Sequence, residues 1–255
     1  METAKERAER LGLIHTGERL DDLMRGGLHI LQRPDGFRFG MDSVLLAAFA
    51  SGRGRDVRLA ADLGTGSGIL PLLVCARLPG VRFDAIEIQP DVADMARRSV
   101  LICELSERIT VHAADLRDAA AQLGFERHQL VLCNPPYGKR GWPQNPDPGR
   151  RTARHEGDAD IADICRAAFQ LLQNGGRFAV CFPANRFLEL LDAMRAARLT
   201  PKRAQLVHPA YGKAPNLALT EAVKSARPML HFLPPLFVRD EHGRETDALL
   251  RIYHE

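Results

Sequence analysis

The chain has 255 residues, 45% of them hydrophobic and 26% charged, which is enough apolar material for a full core and excludes a disordered or fibrous protein. The net charge of +3 excludes a global polycation, so any attraction for nucleic acid has to come from local charge. The five cysteines form no C-x-x-C, the nine histidines form no H-x-x-x-H pair, and the first ten residues are charged rather than apolar. These features predict a cytoplasmic protein with reduced thiols, no metal, no signal peptide and no membrane span.

Residues 4–11 predict a short charged helix, 28–32 a strand, and Pro34-Asp35-Gly36 a turn. The segment Phe37-Arg38-Phe39-Gly40-Met41-Asp42-Ser43 leads into an apolar helix over 44–50, with Asp42 or Ser43 as its cap. Residues 57–63 predict a strand that runs through Asp62 into Gly64-Thr65-Gly66-Ser67-Gly68 and a helix over 69–78. Pro71 falls in the first turn of that helix, where a missing N–H costs little. A strand, a glycine-rich turn and a helix N-terminus suit a ligand that must approach the backbone closely. The dinucleotide fingerprint G-x-G-x-x-G would need glycine where Ile69 stands, so D-x-G-x-G-x-G points to a different nucleotide-type cofactor.

A strand over 81–88 carries Glu87 near its end. That is about twenty residues past the glycine turn, where an acidic side chain can accept from ribose hydroxyls. A helix over 90–103 and a strand over 109–113 follow. Asp115 either accepts from an adenine amino group or caps a helix starting at Leu116; spacing leaves both open. The run Leu130-Val131-Leu132-Cys133 is long enough for a buried strand and too short for a helix. Asn134-Pro135-Pro136-Tyr137 comes next. Two prolines stop the ladder because neither donates a backbone N–H, which leaves an amide and an aromatic ring at a strand's carboxyl end. Open α/β sheets bind ligands at that end, although a Pro-Pro pair alone also reads as punctuation.

The stretch 138–157 is rich in glycine and proline and carries Lys139, Arg140, Arg150, Arg151 and Arg154 around Trp142, the single tryptophan. Basic residues with an interleaved aromatic suit single-stranded nucleic acid, or else make a solvated loop. A helix over 158–173 is expected to stop at Asn174-Gly175-Gly176. A strand over 177–182 and a helix over 184–197 follow. Beyond residue 200 the alternation breaks. Strands over 202–208, 217–224 and 229–238 have no helix between them, which suits antiparallel strands closing one edge of a mostly parallel sheet. Between Arg195 and Arg227 seven basic residues stand against Glu221 alone, a second basic segment that suits a surface for nucleic acid. A short helical piece ends near Tyr253.

Asp62-Leu63-Gly64-Thr65-Gly66-Ser67-Gly68, Glu87 and Asn134-Pro135-Pro136-Tyr137, in this order, resemble the S-adenosylmethionine-dependent methyltransferases of the Rossmann-like class that modify planar amino groups. Four flanking segments narrow the resemblance: Gly17-Glu18-Arg19-Leu20-Asp21-Asp22-Leu23, Phe37 through Ser43, Ala153-Arg154-His155-Glu156 and Lys213-Ala214-Pro215-Asn216-Leu217. They look like parts of the bacterial tRNA adenine-N6 methyltransferases, which act at tRNA position 37 beside the anticodon of a valine tRNA.

The resemblance implies an α/β fold of the Rossmann-like methyltransferase type, with a seven-stranded, mostly parallel sheet, an antiparallel edge and helices on both faces. Residues 1–55 would be an N-terminal extension and cofactor-covering segment, and 56–255 the methyltransferase domain. S-adenosylmethionine would lie against Asp62, Gly64, Thr65, Gly66 and Gly68, with Glu87 and Ile88 at its ribose and Asp115 and Leu116 at its adenine. Arg38, Phe39 and Asp42 would cover it from the N-terminal side, and Asn134 would touch it. Asn134, Pro135, Pro136 and Tyr137 would be catalytic. Lys139, Arg140, Arg150, Arg151, Arg154 and Lys213 would bind tRNA. The rivals are an N5-glutamine methyltransferase acting on a release factor or ribosomal protein, an adenine-N6 enzyme for ribosomal RNA or DNA, and a non-catalytic RNA-binding protein that keeps the fold.

Overall fold

Strands that are apolar on both faces need a layer of helix on each side, and the chain supplies helices between nearly all of them. The structure, a computed structural model, describes residues 2–33, 40–53, 56–136 and 159–254. Helix α1 (Ala4–Arg10) opens with a capping box between Thr3 and Glu6. Strands β1 (Arg19–Asp22) and β2 (His29–Gln32) form an antiparallel pair. Strand β1 was not expected, because its sequence, Arg-Leu-Asp-Asp, has no apolar run. Helix α2 (Met41–Ser51) starts earlier than expected and has Gly40 as its cap. Asp42 and Ser43 therefore lie in its first turn, with an Asp42 Oδ1 oxygen accepting from the Ser43 N–H at 2.9 Å.

The expected alternation follows: β3 (Leu59–Leu63), α3 (Ile69–Arg77), β4 (Arg82–Glu87), α4 (Pro90–Ile102), β5 (Ile109–Ala113), α5 (Ala119–Leu123), β6 (His128–Cys133), α6 (Ile161–Leu171), β7 (Leu172–Pro183), α7 (Phe187–Ala196), β8 (Leu199–His208) and β9 (Leu217–Lys224). Two-residue strands β10 (His231–Phe232) and β11 (Leu236–Phe237) and helix α8 (Asp247–His254) close the fold. The sheet runs β10-β8-β9-β7-β6-β3-β4-β5, with β11 also on β8. Strands β3 to β9 are the seven expected ones. Their pairing is parallel from β5 to β7, and β9 runs antiparallel between β7 and β8.

Three expectations need correcting. The segment 229–238 is not one antiparallel strand: Leu233-Pro234-Pro235 interrupts it, and both fragments run parallel to β8 along its outer edge. Asn174-Gly175-Gly176 does not sit in a gap between helix and strand. Helix α6 passes into β7 at once, and the three residues form a bulge against β6, with Gly175 at φ +77°. A Cβ on Gly176 would lie 2.9 Å from the Gln173 carbonyl oxygen and 3.0 Å from that of His128, so the close approach there requires glycine. Nor does the basic run from Arg195 to Arg227 form a surface field. The Arg203 guanidinium and Lys224 are turned inward, and Arg195, Arg198 and Arg227 lie near the start of β8, at the opposite end from the carboxyl edge.

Side chains alternate across the sheet with the period of two that a strand imposes. Leu130, Leu132, Ala179 and Cys181 face a core shared with α2, α3 and α4, whereas Val131, Cys133, Phe178 and Val180 face one shared with α6 and α7. Helix α2 is held at its C-terminal end by buried charge. Arg203 donates to the Phe49 carbonyl at 2.7 Å and lies 4.2 Å from the centre of the Phe49 ring. Glu221, fully buried on β9, accepts from Arg177 at 2.8 Å and from Arg203 at 3.2 Å. Cations at a helix C-terminus are favoured by its dipole, and the carboxylate between them keeps their burial tolerable. Lys224 does the same for α6, donating to the Phe169 and Leu172 carbonyls and to Glu126, each at 2.8 Å.

Removing the carboxylate alone would strand two guanidinium groups. Glu221→Ala is expected to cost about 3–5 kcal/mol of unfolding free energy, the loss typical of a broken buried pair. Arg195→Ala, at an exposed position, should stay within about 0.5 kcal/mol of the parent. Urea denaturation of both variants checks this, and a Glu221→Ala protein as stable as Arg195→Ala would contradict it.

Candidate active site

Ladder register decides which residues share the carboxyl edge of the sheet. Asp62 pairs with Leu132, Leu63 with Ile86, and Glu87 with Ala113. The segments leaving four adjacent strands therefore stand side by side: Asn134 after β6, the glycine turn after β3, Glu87 at the end of β4 and Asp115 after β5. They straddle the switch point between β3 and β6, where successive strands start to be added in opposite directions.

The glycine turn continues the ladder. The Gly64 and Thr65 N–H groups both donate to the Ile86 carbonyl at 2.9 Å, and the Gly68 N–H donates back to the Thr65 carbonyl at 3.0 Å. Gly64 and Gly66 have φ of +73° and +56°, in the left-handed region that favours glycine. A Cβ at either would meet nothing within 4 Å, so the turn leaves its outer face open. Helix α3 begins behind it with Gly68 as cap and no side chain closing its first N–H groups. The Glu87 carboxylate is buried beside the turn, one oxygen accepting from the Gly66 N–H at 2.9 Å and the other from the Gln89 N–H at 3.0 Å. Burial raises its pKa, against the pull of those backbone donors.

Beneath the turn lies Asp62, fully buried. Among the described residues neither of its oxygens has a hydrogen-bond donor, and the Thr65 hydroxyl has no partner either. Burial pushes the Asp62 carboxyl up to about 7, and the neighbouring Glu87 charge adds to this. An unpartnered buried carboxylate under an open cradle of positive-φ glycines fits a ligand that carries a cationic or amino group and lies against the backbone.

Ile88 is exposed next to Glu87. Asp115 caps the short 3₁₀ turn Leu116–Asp118, accepting from the Arg117 N–H at 2.9 Å, and its carboxylate is also gripped by the Arg117 guanidinium. That guanidinium draws the Asp115 pKa down. So the capping role is realised, and an adenine at this position would share the carboxylate with Arg117. Leu116 is half-buried against the core beside α6.

Asn134 is half-buried, Pro135 buried and Pro136 exposed. The Asn134 side-chain amide donates through Nδ2 to the Ser43 hydroxyl at 3.0 Å. This contact spans 91 residues and joins the first turn of α2 to the end of β6. Ser43, fully buried, was expected to be a cap at most; no local pattern signals its contact with Asn134. Asp42 lies beside it, lining a cavity of about 420 Å³ with Met41, Val207, Asn216, Leu217 and Val238. Lys213 is exposed on the loop between β8 and β9, at the same edge of the sheet. Arg38, Phe39, Tyr137, Lys139, Arg140, Arg150, Arg151 and Arg154 lie outside the described residues. Among the described residues no cluster of His, Cys, Asp and Glu is placed to hold a metal ion, and no helix is long and apolar enough to cross a membrane.

The model of the methyltransferase small domain family matches residues 42–200, which takes in every strand from β3 to β7. A protein of Shewanella amazonensis is 33% identical over 219 residues, covering 84% of this chain and 91% of its own. Another, of Porphyromonas gingivalis, is 34% identical over 189 residues, covering 72% and 73%. Both are named tRNA1(Val) (adenine(37)-N6)-methyltransferase. This chain belongs to their family. The methyltransferase also superposes on the crystal structure of a predicted O-methyltransferase from Agrobacterium tumefaciens with a TM-score of 0.69 and 26% identity, over 84% of this chain and 95% of that one. Geranyl diphosphate methyltransferase in complex with SAM shares the fold alone, at a TM-score of 0.52 and 14% identity, over 72% of this chain and 85% of that one.

The buried Asp62 of this methyltransferase makes a pH prediction. A carboxyl that protonates more readily in the folded chain stabilises the fold below its unfolded pKa, near 4. That contribution is lost as pH rises from about 4 to about 7. Without added ligand, Asp62→Asn should flatten the decline in unfolding free energy across this window and raise the urea midpoint at pH 8. An unchanged slope would mean that Asp62 does not titrate there.

Proposed function

We propose that this methyltransferase transfers the methyl group of S-adenosylmethionine to the exocyclic N6 of adenine in tRNA, at position 37 beside the anticodon of a valine tRNA. The observation that carries the reading is the placing of Asn134-Pro135-Pro136 beside the glycine turn at the switch point, in a chain that spans 91% of a relative bearing that name. When bound, S-adenosylmethionine supplies an electrophilic methyl group. The open face over Gly64, Thr65, Gly66 and Gly68 would receive its methionine part, with Asp62 toward the amino group. Glu87 and Ile88 would meet the ribose, and Asp115 and Leu116 the adenine. The segment before residue 56, with Arg38, Phe39 and Asp42, would cover it.

The adenine amino nitrogen is a weak nucleophile because its lone pair is delocalised into the ring. The Asn134 side-chain oxygen and the Pro135 carbonyl can each accept one amino hydrogen. Two acceptors out of the ring plane favour a pyramidal nitrogen with its lone pair directed at the methyl, so the site needs no strong base. Proline fixes φ and so aims its carbonyl. Ser43 accepts from Nδ2 of the Asn134 amide and so helps to set the orientation of its plane. Pro136 holds the chain that carries Tyr137, whose ring would stack on the base. Holding nitrogen and methyl in line is worth several kcal/mol of barrier. An anticodon-loop base is already unpaired, so presenting it to the site costs little. Lys139, Arg140, Arg150, Arg151, Arg154 and Lys213 would meet the phosphates.

Asn134→Ala should abolish methyl transfer while calorimetry finds S-adenosylmethionine binding nearly intact. Ser43→Ala should lower kcat roughly tenfold, the worth of about 1.4 kcal/mol of lost orientation, with little effect on cofactor affinity. Full turnover in Asn134→Ala would sink the mechanism. Reversing the charges of Arg150, Arg151 and Arg154 should weaken tRNA binding and flatten its salt dependence; unchanged affinity and slope would remove those residues from the interface. Incubation with labelled S-adenosylmethionine and total tRNA, ribosomal RNA, DNA or protein tests the substrate class. Label entering only protein or DNA would refute the tRNA reading.

A further inference from the structure

The loop 209–216, between β8 and β9, is tied down on every side. Its Lys213 N–H donates to the Ala210 carbonyl at 3.1 Å, and the Lys213 carbonyl lies 2.7 Å from His208 Nδ1. The Tyr211 N–H donates to the Arg239 carbonyl at 2.8 Å, and the Asn216 N–H to that of Val207 at 3.0 Å. The Phe237 ring stands 4.8 Å from that of His208 and 5.5 Å from that of Tyr211, centre to centre. A loop this well tied presents its exposed side chains at small entropic cost. Among those side chains are Tyr211, 62% exposed, and Lys213, with Arg239 exposed on the adjoining segment.

Behind the loop is the 420 Å³ cavity, whose wall reaches Asp42 in the first turn of α2. The next residue, Ser43, holds Asn134. The loop thus stands beside the reaction centre, with no hydrogen bond or ring contact between Tyr211 and Asn134 among the described residues. The cavity walls are mostly apolar, from Met41, Val207, Pro209, Leu217 and Val238, and its charged lining residues are Asp42 and Arg239. The cations Lys213 and Arg239 suit phosphates, and the exposed Tyr211 ring suits an uncharged planar base.

We propose that the β8–β9 loop is a second base-binding site, which seats the nucleotide adjoining the reacting adenine. Tyr211 stacks on that neighbouring base, and Lys213 and Arg239 take the phosphates that flank it. This rests on the RNA reading above and adds a place where the single strand is gripped outside the reaction centre.

The test uses the full-length protein, S-adenosylmethionine and unmodified valine tRNA transcript. Tyr211→Ala should raise KM for tRNA about 5- to 150-fold, the range of base–aromatic stacking. It should leave kcat within about twofold, as expected when an interaction is equal in ground and transition states. Tyr211→Phe should restore KM, and Lys213→Ala should reduce the salt slope of tRNA binding by about 0.7. Far-UV circular dichroism and cofactor affinity should be unchanged in all three. An unaltered KM in Tyr211→Ala overturns the proposal. So does a fall in kcat alone, which would put Tyr211 on the reacting base. If the unmutated protein labels no tRNA, or labels an acidic protein instead, the RNA reading fails and this site fails with it.

Discussion

Strand β3 is paired on both sides, to β4 and to β6, and the site depends on that pairing. All but the first of its residues are buried, so the strand cannot shift by one position without turning its core side chains to the wrong face. Its register with β4 puts Glu87 beside the glycine turn, and its register with β6 puts Asn134 on the other side. The turn extends the same ladder, because Gly64 and Thr65 both donate to Ile86. The backbone of the cradle is thus as firmly positioned as the sheet itself, and the polar groups that act on a ligand need only short reaches from strand ends.

Helix α2 is the second fixed element. At its C-terminal end the Arg203–Glu221–Arg177 group binds it to β7, β8 and β9. At its first turn Ser43 meets Asn134. It therefore lies over the sheet from the antiparallel edge to the switch point, and carries Asp42 to the boundary between Asn134 and the neighbouring cavity. The charges that fix it come from a stretch whose sequence suggests a basic surface. Burial turns two of those seven cations into supports for helix C-termini, where carbonyl groups would otherwise lack partners. Asp62 follows the opposite logic. Its burial is uncompensated among the described residues, a cost that a site can bear when a ligand completes the pairing.

The alternation of strand and helix from residue 57 to 197 was legible because short apolar runs alternate with longer stretches of helix-length apolar spacing. The glycine turn, Glu87 and Asn134 were legible because each depends on local chemistry: positive φ, an acid at a fixed distance, a polar residue before proline. Strand β1 was hidden because its residues are charged. The bulge at Asn174-Gly175-Gly176 was misread because glycines that end a helix and glycines that let two backbones close up look the same in one dimension. The fragments β10 and β11 were taken for one antiparallel strand, since direction belongs to pairing and not to composition.

The sequence by itself determined the fold class, the order of strands β3 to β9 along the chain and which residues leave the carboxyl edge of the sheet, because propensity, periodicity and turn chemistry act over a few neighbours. Only the tertiary structure decided what those residues meet. The 91-residue contact between Ser43 and Asn134, the inward turn of Arg203 and burial of Lys224, the rise of the Asp62 carboxyl to about 7 and the union of Tyr211 with Phe237 and Arg239 all arise from packing between distant segments. The physical reason is that desolvation and long-range hydrogen bonding depend on what surrounds a group in space, and a side chain's identity alone does not specify that.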